Sequence, residues 1–152
     1  YEVIKSARNL RKQFNLVPSA EVNFIIKADD ESRREFLTGE TAAISRHIKA
    51  ASLKIDSAFK PLHPMPSEVT PLGIIYMELD KSYIDFEKEK VRIQKKIDEA
   101  NRVLENISKK INNEKFVANA APAIVEAEKV KYGEMQDELA KLKDILNFYS
   151  ES

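Results

Sequence analysis

Residues 79–111, LDKSYIDFEKEKVRIQKKIDEANRVLENISKKI, decide the fold of this chain. With Leu79 taken as a d position, the d series runs Leu79, Phe86, Ile93, Ala100 and Ile107, and the a series Tyr83, Lys90, Ile97, Leu104 and Ile111. Only Lys90 departs from apolar or aromatic character. A strict repeat of seven held over more than four heptads marks a coiled-coil seam. The broader stripe of an ordinary amphipathic helix drifts with the 3.6 period.

A second seam follows the first. Val125, Tyr132, Leu139 and Leu146 form one series and Met135, Leu142 and Tyr149 the other, with Glu128 as its polar member. Residues 113–122, NEKFVANAAP, form a short hinge between the two seams, so the helices are expected to run antiparallel. Pairing Ile111 with Val125 brings Leu104 near Tyr132, Ile97 near Leu139 and Lys90 near Leu146. At about 1.5 Å per residue the predicted arm is roughly 50 Å long. Lys90 is read as a register device, its stem along the interface and its ammonium in water.

Composition agrees. Of 152 residues 33% are charged and three are glycine, which predicts a largely helical, solvent-facing chain. There is no cysteine, so disulfides and thiolate metal sites are excluded. No apolar run approaches the ~20 residues that cross a bilayer and no secretory signal is read, so a cytoplasmic protein without membrane contact is expected. The 25 basic and 25 acidic side chains cancel, so any attraction to nucleic acid must come from local patches.

The part before Met77 holds five of the six prolines and both histidines. Val3, Ala7, Leu10 and Phe14 share one face of a helix over residues 1–14, which residues 15–19 (NLVPS) stop. Residues 21–28 (EVNFIIKA) read as a strand. Residues 29–32 (DDES) offer N-caps to a helix that Gly39 ends, and Thr41 opens another with Ala43, Ile44, His47 and Ile48 inward. Residues 52–57 are expected to form a second strand, residues 60–71 a proline-rich crossing and residues 72–79 a third strand. The predicted fold class is α+β: a small β-α-β-β layer with helices on one face, followed by a long antiparallel two-helix coiled-coil hairpin. A helix that begins at Tyr1 with no initiator Met is expected of a piece of a longer polypeptide.

Several segments carry a family resemblance. Residues 7–19 (ARNLRKQFNLVPS), the strand after them, and above all residues 104–122 (LENISKKINNEKFVANAAP) with 125–129 (VEAEK) resemble the C-terminal part of valyl-tRNA synthetases. The resemblance spans essentially the whole chain. It implies three parts: residues 1–17 as the last helix of an anticodon-binding domain, 18–78 as an α+β connector, and 79–152 as a coiled-coil tRNA-binding arm. The class I signatures His-Ile-Gly-His and Lys-Met-Ser-Lys-Ser do not occur in this sequence, so the chain itself is not expected to be an enzyme. It implies no cofactor for this chain, while the parent valine-tRNA ligase would use ATP and Mg2+.

The resemblance further implies that the arm contacts the outer corner of a valine-accepting tRNA and positions it for a catalytic domain elsewhere. Such contact uses phosphates, ribose hydroxyls and exposed loop bases, because the deep groove of A-form RNA is closed to side chains. Arg102, Lys109, Lys110 and Lys115, with Lys129 and Lys131 on the second helix and Phe116 between, supply the cations and the apolar partner. Residues 101–120 hold four basic and two acidic side chains, a local +2. Arg8, Arg11 and Lys12 are a second candidate set, facing an anticodon stem. The expected partners are tRNA and the remainder of the synthetase, with the chain a monomer whose arms could pair in a crystal.

Plainer readings stand beside these. Lysines outside a seam are ordinarily a solvated face, and Phe116 with Val117 serves equally as an apolar plug closing the helix pair. The alternative function is a coiled-coil protein-protein interaction module, for which Val91 and Val103 are the apolar candidates on the first helix. No catalytic constellation is legible. His47 and His63 lack partners at metal spacing, the three glycines form no phosphate loop, and Asp29-Asp30 suits a helix start.

Overall fold

The computed structural model describes residues 2–14, 16, 19–79 and 84–151. These form two compact units, one ending at Asp85 and the other spanning Phe86–Glu151.

In the first unit, helix α1 (Glu2–Gln13) places Val3, Ala7 and Leu10 on one face, and all three are fully buried. Strand β1 (Val22–Lys27) follows. Asp30 caps helix α2 (Glu31–Gly39), its carboxylate accepting from the Arg33 amide at 3.0 Å, so one of the four aspartate-to-serine candidates does the capping. Helix α3 (Thr41–Ile48) starts where expected. The Thr41 hydroxyl, however, donates back to the carbonyls of Leu37 and Thr38, each at 3.0 Å, and so closes α2 rather than capping α3. Lys49 ends α3 in the left-handed region at φ 53°.

Strands β2 (Ala50–Ile55), β3 (Ser67–Thr70) and β4 (Gly73–Met77) complete a sheet of order β2-β1-β4-β3. β1 and β2 are parallel across the α2–α3 crossover, and the other two pairings are antiparallel. Phe24 and Ile26 of β1 and Ile75 and Met77 of β4 meet α1, α2 and α3 on one face in a single core. On the other face Phe59 packs edge-to-face on Tyr76, with ring centroids 5.0 Å apart.

Two expectations are corrected here. The layer has four strands, not three: β3 lies inside the segment read as a crossing. Pro66 and Pro71 flank it, which an edge strand tolerates because only one side must donate to a neighbour. The second correction concerns Leu79, which packs against the sheet core and does not open the seam. Tyr83, the first a position of that seam, lies outside the described residues.

The second unit comprises α4 (Phe86–Ile111), α5 (Glu114–Asn119) and α6 (Pro122–Glu151). Ile93, Ile97, Ala100 and Ile107 of α4 are buried, as are Val125, Leu142 and Tyr149 of α6. The two long helices pack on each other. Near one end Phe86 meets Tyr149 edge-to-face at 5.8 Å, and near the other the Lys110 ammonium lies 3.7 Å from a Glu128 carboxylate oxygen, so the helices run in opposite directions. Lys90 is half-buried, and its ammonium reaches the exposed Glu87 carboxylate at 2.7 Å. Glu89, which the seam reading passed over, is buried and accepts two hydrogen bonds from Arg92, at 2.9 and 3.1 Å.

Candidate nucleic-acid interface

The segment between α4 and α6 contains a helix of its own. Asn113 starts it, its side-chain oxygen accepting from the amides of Lys115 at 3.0 Å and Phe116 at 3.2 Å. Pro122 opens α6, where a missing N–H costs nothing and the fixed φ suits the first turn. The carbonyl of Ala121 receives the amides of Ile124 and Val125, at 2.9 and 3.2 Å. The Asn and Pro of the hinge therefore have definite structural work: each begins a helix.

Around this turn the sequence-predicted side chains divide into three groups. Lys115, Lys129 and Lys131 are exposed. Arg102 and Lys109 are also exposed, and each pairs along its own helix: Arg102 with Glu99, and Lys109 with Glu105 at 3.3 Å. Such surface pairs hold a side chain loosely and exchange readily for another anion. Lys110 alone reaches across to α6, where it meets Glu128. Phe116 is half-buried, so its ring serves packing and surface together. Val117, Ile124 and Val130 add exposed apolar area on the same segments, at 43%, 54% and 52% exposure.

The α1 set does not form one surface. Arg8 is exposed and its guanidinium donates to the His47 carbonyl at 3.3 Å, joining α1 to α3, and Lys12 is exposed. Arg11 is buried, and its guanidinium donates to the Ala20 carbonyl. That places Arg11 as a staple for the turn into β1, which corrects its reading as a surface cation. The side chain lies beside Ala7 on the buried stripe because residues four apart share a helical face.

Among the described residues no group of three or more His, Cys, Asp or Glu side chains is arranged to hold a metal. The His63 ring meets the neighbouring Pro64 carbonyl through Nδ1 at 3.1 Å. An open hollow beside β1 is lined by Asn23, Phe59, Lys60, His63 and Glu78. Two of its polar groups are engaged: Asn23 donates to Glu78 at 3.2 Å, and Asn23 accepts from Ser52, outside the lining, at 2.8 Å. The Tyr76 hydroxyl is pushed up to about 12, by burial first and by the nearby Asp29 charge second. No helix among the described residues is long and apolar enough to cross a membrane.

Residues 85–148 match the family described as the valyl tRNA synthetase tRNA binding arm. Those residues belong to that family. The chain as a whole resembles the C-terminal region of valyl-tRNA synthetases. A valine–tRNA ligase of Enterococcus faecalis is 32% identical over 130 residues, covering 86% of this chain and 15% of that protein. Its counterpart in Streptococcus pyogenes serotype M28 is 28% identical over 151 residues, covering 95% and 17%. That of Francisella tularensis is 30% identical over 139 residues, covering 91% and 15%. The chain thus spans only 15% to 17% of the length of these relatives.

Of the four α4 cations that escaped the sequence reading, Lys88, Arg92, Lys95 and Lys96, the first and third are exposed. The signal of those two was present as a recurrence of basic residues every seven positions, away from the seam that drew attention.

Proposed function

We propose that this chain is a non-catalytic tRNA-binding appendage of a valine–tRNA ligase. In this reading α4 and α6 form an antiparallel coiled-coil hairpin whose turn lies against the outer corner of the tRNA, where the D and T loops meet. Residues 1–17 close an anticodon-binding domain, and residues 18–78 connect it to the arm. Aminoacylation, with its ATP and Mg2+, belongs to the remainder of the ligase; this chain brings no cofactor of its own.

The observation that carries the proposal is the coincidence of the family match with the exposed cations at the turn. Lys109, Lys115, Lys129 and Lys131 lie in solvent within the matched residues 85–148. Lysine ammoniums suit phosphate contact without base readout, and half-buried Phe116 with Val117 and Ile124 offers an apolar surface to unstacked loop bases. The role is positional: added contacts slow dissociation and restrict the orientation in which the acceptor end arrives at the reacting groups.

The experiment is charge reversal of Lys109, Lys110 and Lys115 together in the full-length protein. Valine-accepting tRNA should bind more weakly, while valyl-adenylate formation, which needs no tRNA corner, stays unchanged. Undiminished tRNA affinity would refute the contact.

A further inference from the structure

The two long helices of the second unit carry opposite charge. α4 holds eight basic and five acidic side chains, a net +3, and α6 holds four basic and seven acidic ones, a net −3. Their sum is zero, which conceals the separation in any count over the arm.

The separation is sharpest on the surfaces opposite the buried stripe. On α4 the inward positions are Ile93, Ile97, Ala100 and Ile107. The outermost position of each heptad is then Lys88, Lys95, Arg102 and Lys109, every one basic and every one exposed. On α6 the equivalent outermost positions are Val130, Asp137, Asp144 and Glu151, also exposed. After Val130, next to the turn, all three are acidic. Seven residues of α-helix advance about 10.5 Å and lag a full two turns by only about 20°, so the four cations make a nearly straight line roughly 30 Å long.

From this we infer that the outer face of α4 is laid along the RNA backbone over most of the helix length, and that the outer face of α6 beyond its first turns is held away from it. The inference rests on the tRNA-binding reading and deepens it, from a contact at the turn to an oriented face. Phosphates are drawn to the α4 line and repelled by the Asp137, Asp144 and Glu151 line, so the charge separation sets which side of the arm meets the RNA. Arg102 sits at the third station, where its planar fork suits a phosphate better than an ammonium does. The exposed pairs of Arg102 with Glu99 and Lys109 with Glu105 contribute little and yield to a stronger anion. A protein partner is disfavoured because the α4 line presents no apolar side chain; Val91, 56% exposed, lies off it.

The test compares three variants of the full-length protein, with valine-accepting tRNA binding measured between low and physiological salt. Lys88→Gln with Lys95→Gln removes two stations remote from the turn and leaves α4 helical, which circular dichroism checks. It should weaken binding about tenfold at low salt and reduce the slope of log affinity against log salt by about 1 to 2. Lys110→Glu with Lys115→Glu, neither of which lies on the line, reports the turn separately. Asp137→Asn with Asp144→Asn, on the opposite face, should leave binding within about twofold or tighten it. If the turn variant weakens binding while the Lys88/Lys95 variant does not, the oriented-face inference is overturned and the turn contact stands. If neither weakens it, both are overturned. Loss of affinity in the Asp137/Asp144 variant equal to that at Lys88/Lys95 would also overturn the orientation.

Discussion

The Lys110 ammonium lies 3.7 Å from a carboxylate oxygen of Glu128, joining α4 to α6 beside the turn between them. Glu128 is the polar member of an otherwise apolar series, its side chain is only 20% exposed, and among the described residues its second carboxylate oxygen is buried without a hydrogen-bond partner. A charge half-withdrawn from water costs stability and fixes register in exchange. Glu128→Leu is therefore expected to raise unfolding free energy by about 1 kcal/mol, whereas Lys110→Ala lowers it by roughly 0.5–1 kcal/mol. Chemical denaturation of each variant checks the pair; a less stable Glu128→Leu protein would show that the carboxylate is not a cost. The same pair warns that reversal at Lys110 perturbs folding as well as charge, so its binding data need the stability measurement beside them.

Asn113 holds α5 in place by accepting two amide hydrogen bonds. A helix of six residues has no independent stability, so its cap counts for more than in a long helix. Asn113→Ala is expected to cost about 1 kcal/mol and to speed hydrogen exchange in residues 114–119 ahead of the rest of the unit. If the turn contacts tRNA as proposed, affinity falls with it although no charge has changed.

Gly73 shows how a single position can be closed to side chains. Its φ is +145°, and a Cβ there would stand 2.3 Å from the Lys27 carbonyl oxygen, in the strand paired beside it. The three nearest atoms all belong to the backbone of Lys27 and Ala28, so no flexible side chain can yield. Gly73→Ala should destabilise the first unit by more than about 2 kcal/mol, read as a lowered denaturation midpoint.

Gly133 is the opposite case. It lies inside α6, exposed, and a Cβ added there meets nothing within 4 Å. Gly133→Ala should stabilise α6 by up to about 1 kcal/mol, since alanine loses less conformational freedom in a helix. Thermal unfolding of the variant would contradict this account if the midpoint fell.

Tyr76 predicts an alkaline limit. Its hydroxyl ionises near 10 when exposed and is pushed up to about 12 here, chiefly by burial. The folded form therefore holds its proton where the unfolded form has lost it. The resulting stability is complete below pH 10 and declines as pH rises from about 10 to 12, by on the order of 2–3 kcal/mol. Tyr76→Phe should remove that part of the alkaline loss, which pH-dependent denaturation would reveal.

The candidate interface is partly legible in the sequence. Lys109, Lys115, Lys129 and Lys131 emerge in solvent because positions away from an apolar stripe have nowhere else to go. Arg11 shows the limit of that logic. It stands one residue beyond Leu10 on a strongly amphipathic helix, and it is buried because the turn after α1 brings the Ala20 carbonyl within its reach. The line of Lys88, Lys95, Arg102 and Lys109 lies opposite the apolar series already legible in the sequence, and burial of Ile93, Ile97, Ala100 and Ile107 makes it an outer face.

By itself the sequence determined the features whose causes are local. The two long helices follow from heptads, their opposite directions from the short connection, α2 from Asp30 and α6 from Pro122, because spacing, capping and chain length act within a few residues. The tertiary structure decided what depends on distant neighbours. β3 exists because β4 offers its edge, Leu79 joins the sheet rather than the seam because a core lies beside it, and Lys110 pairs with Glu128 because α6 returns along α4. Heptads and a short hinge encode the approximate register of α4 against α6, but β3, Leu79 and Arg11 take their places from neighbours that no local pattern names.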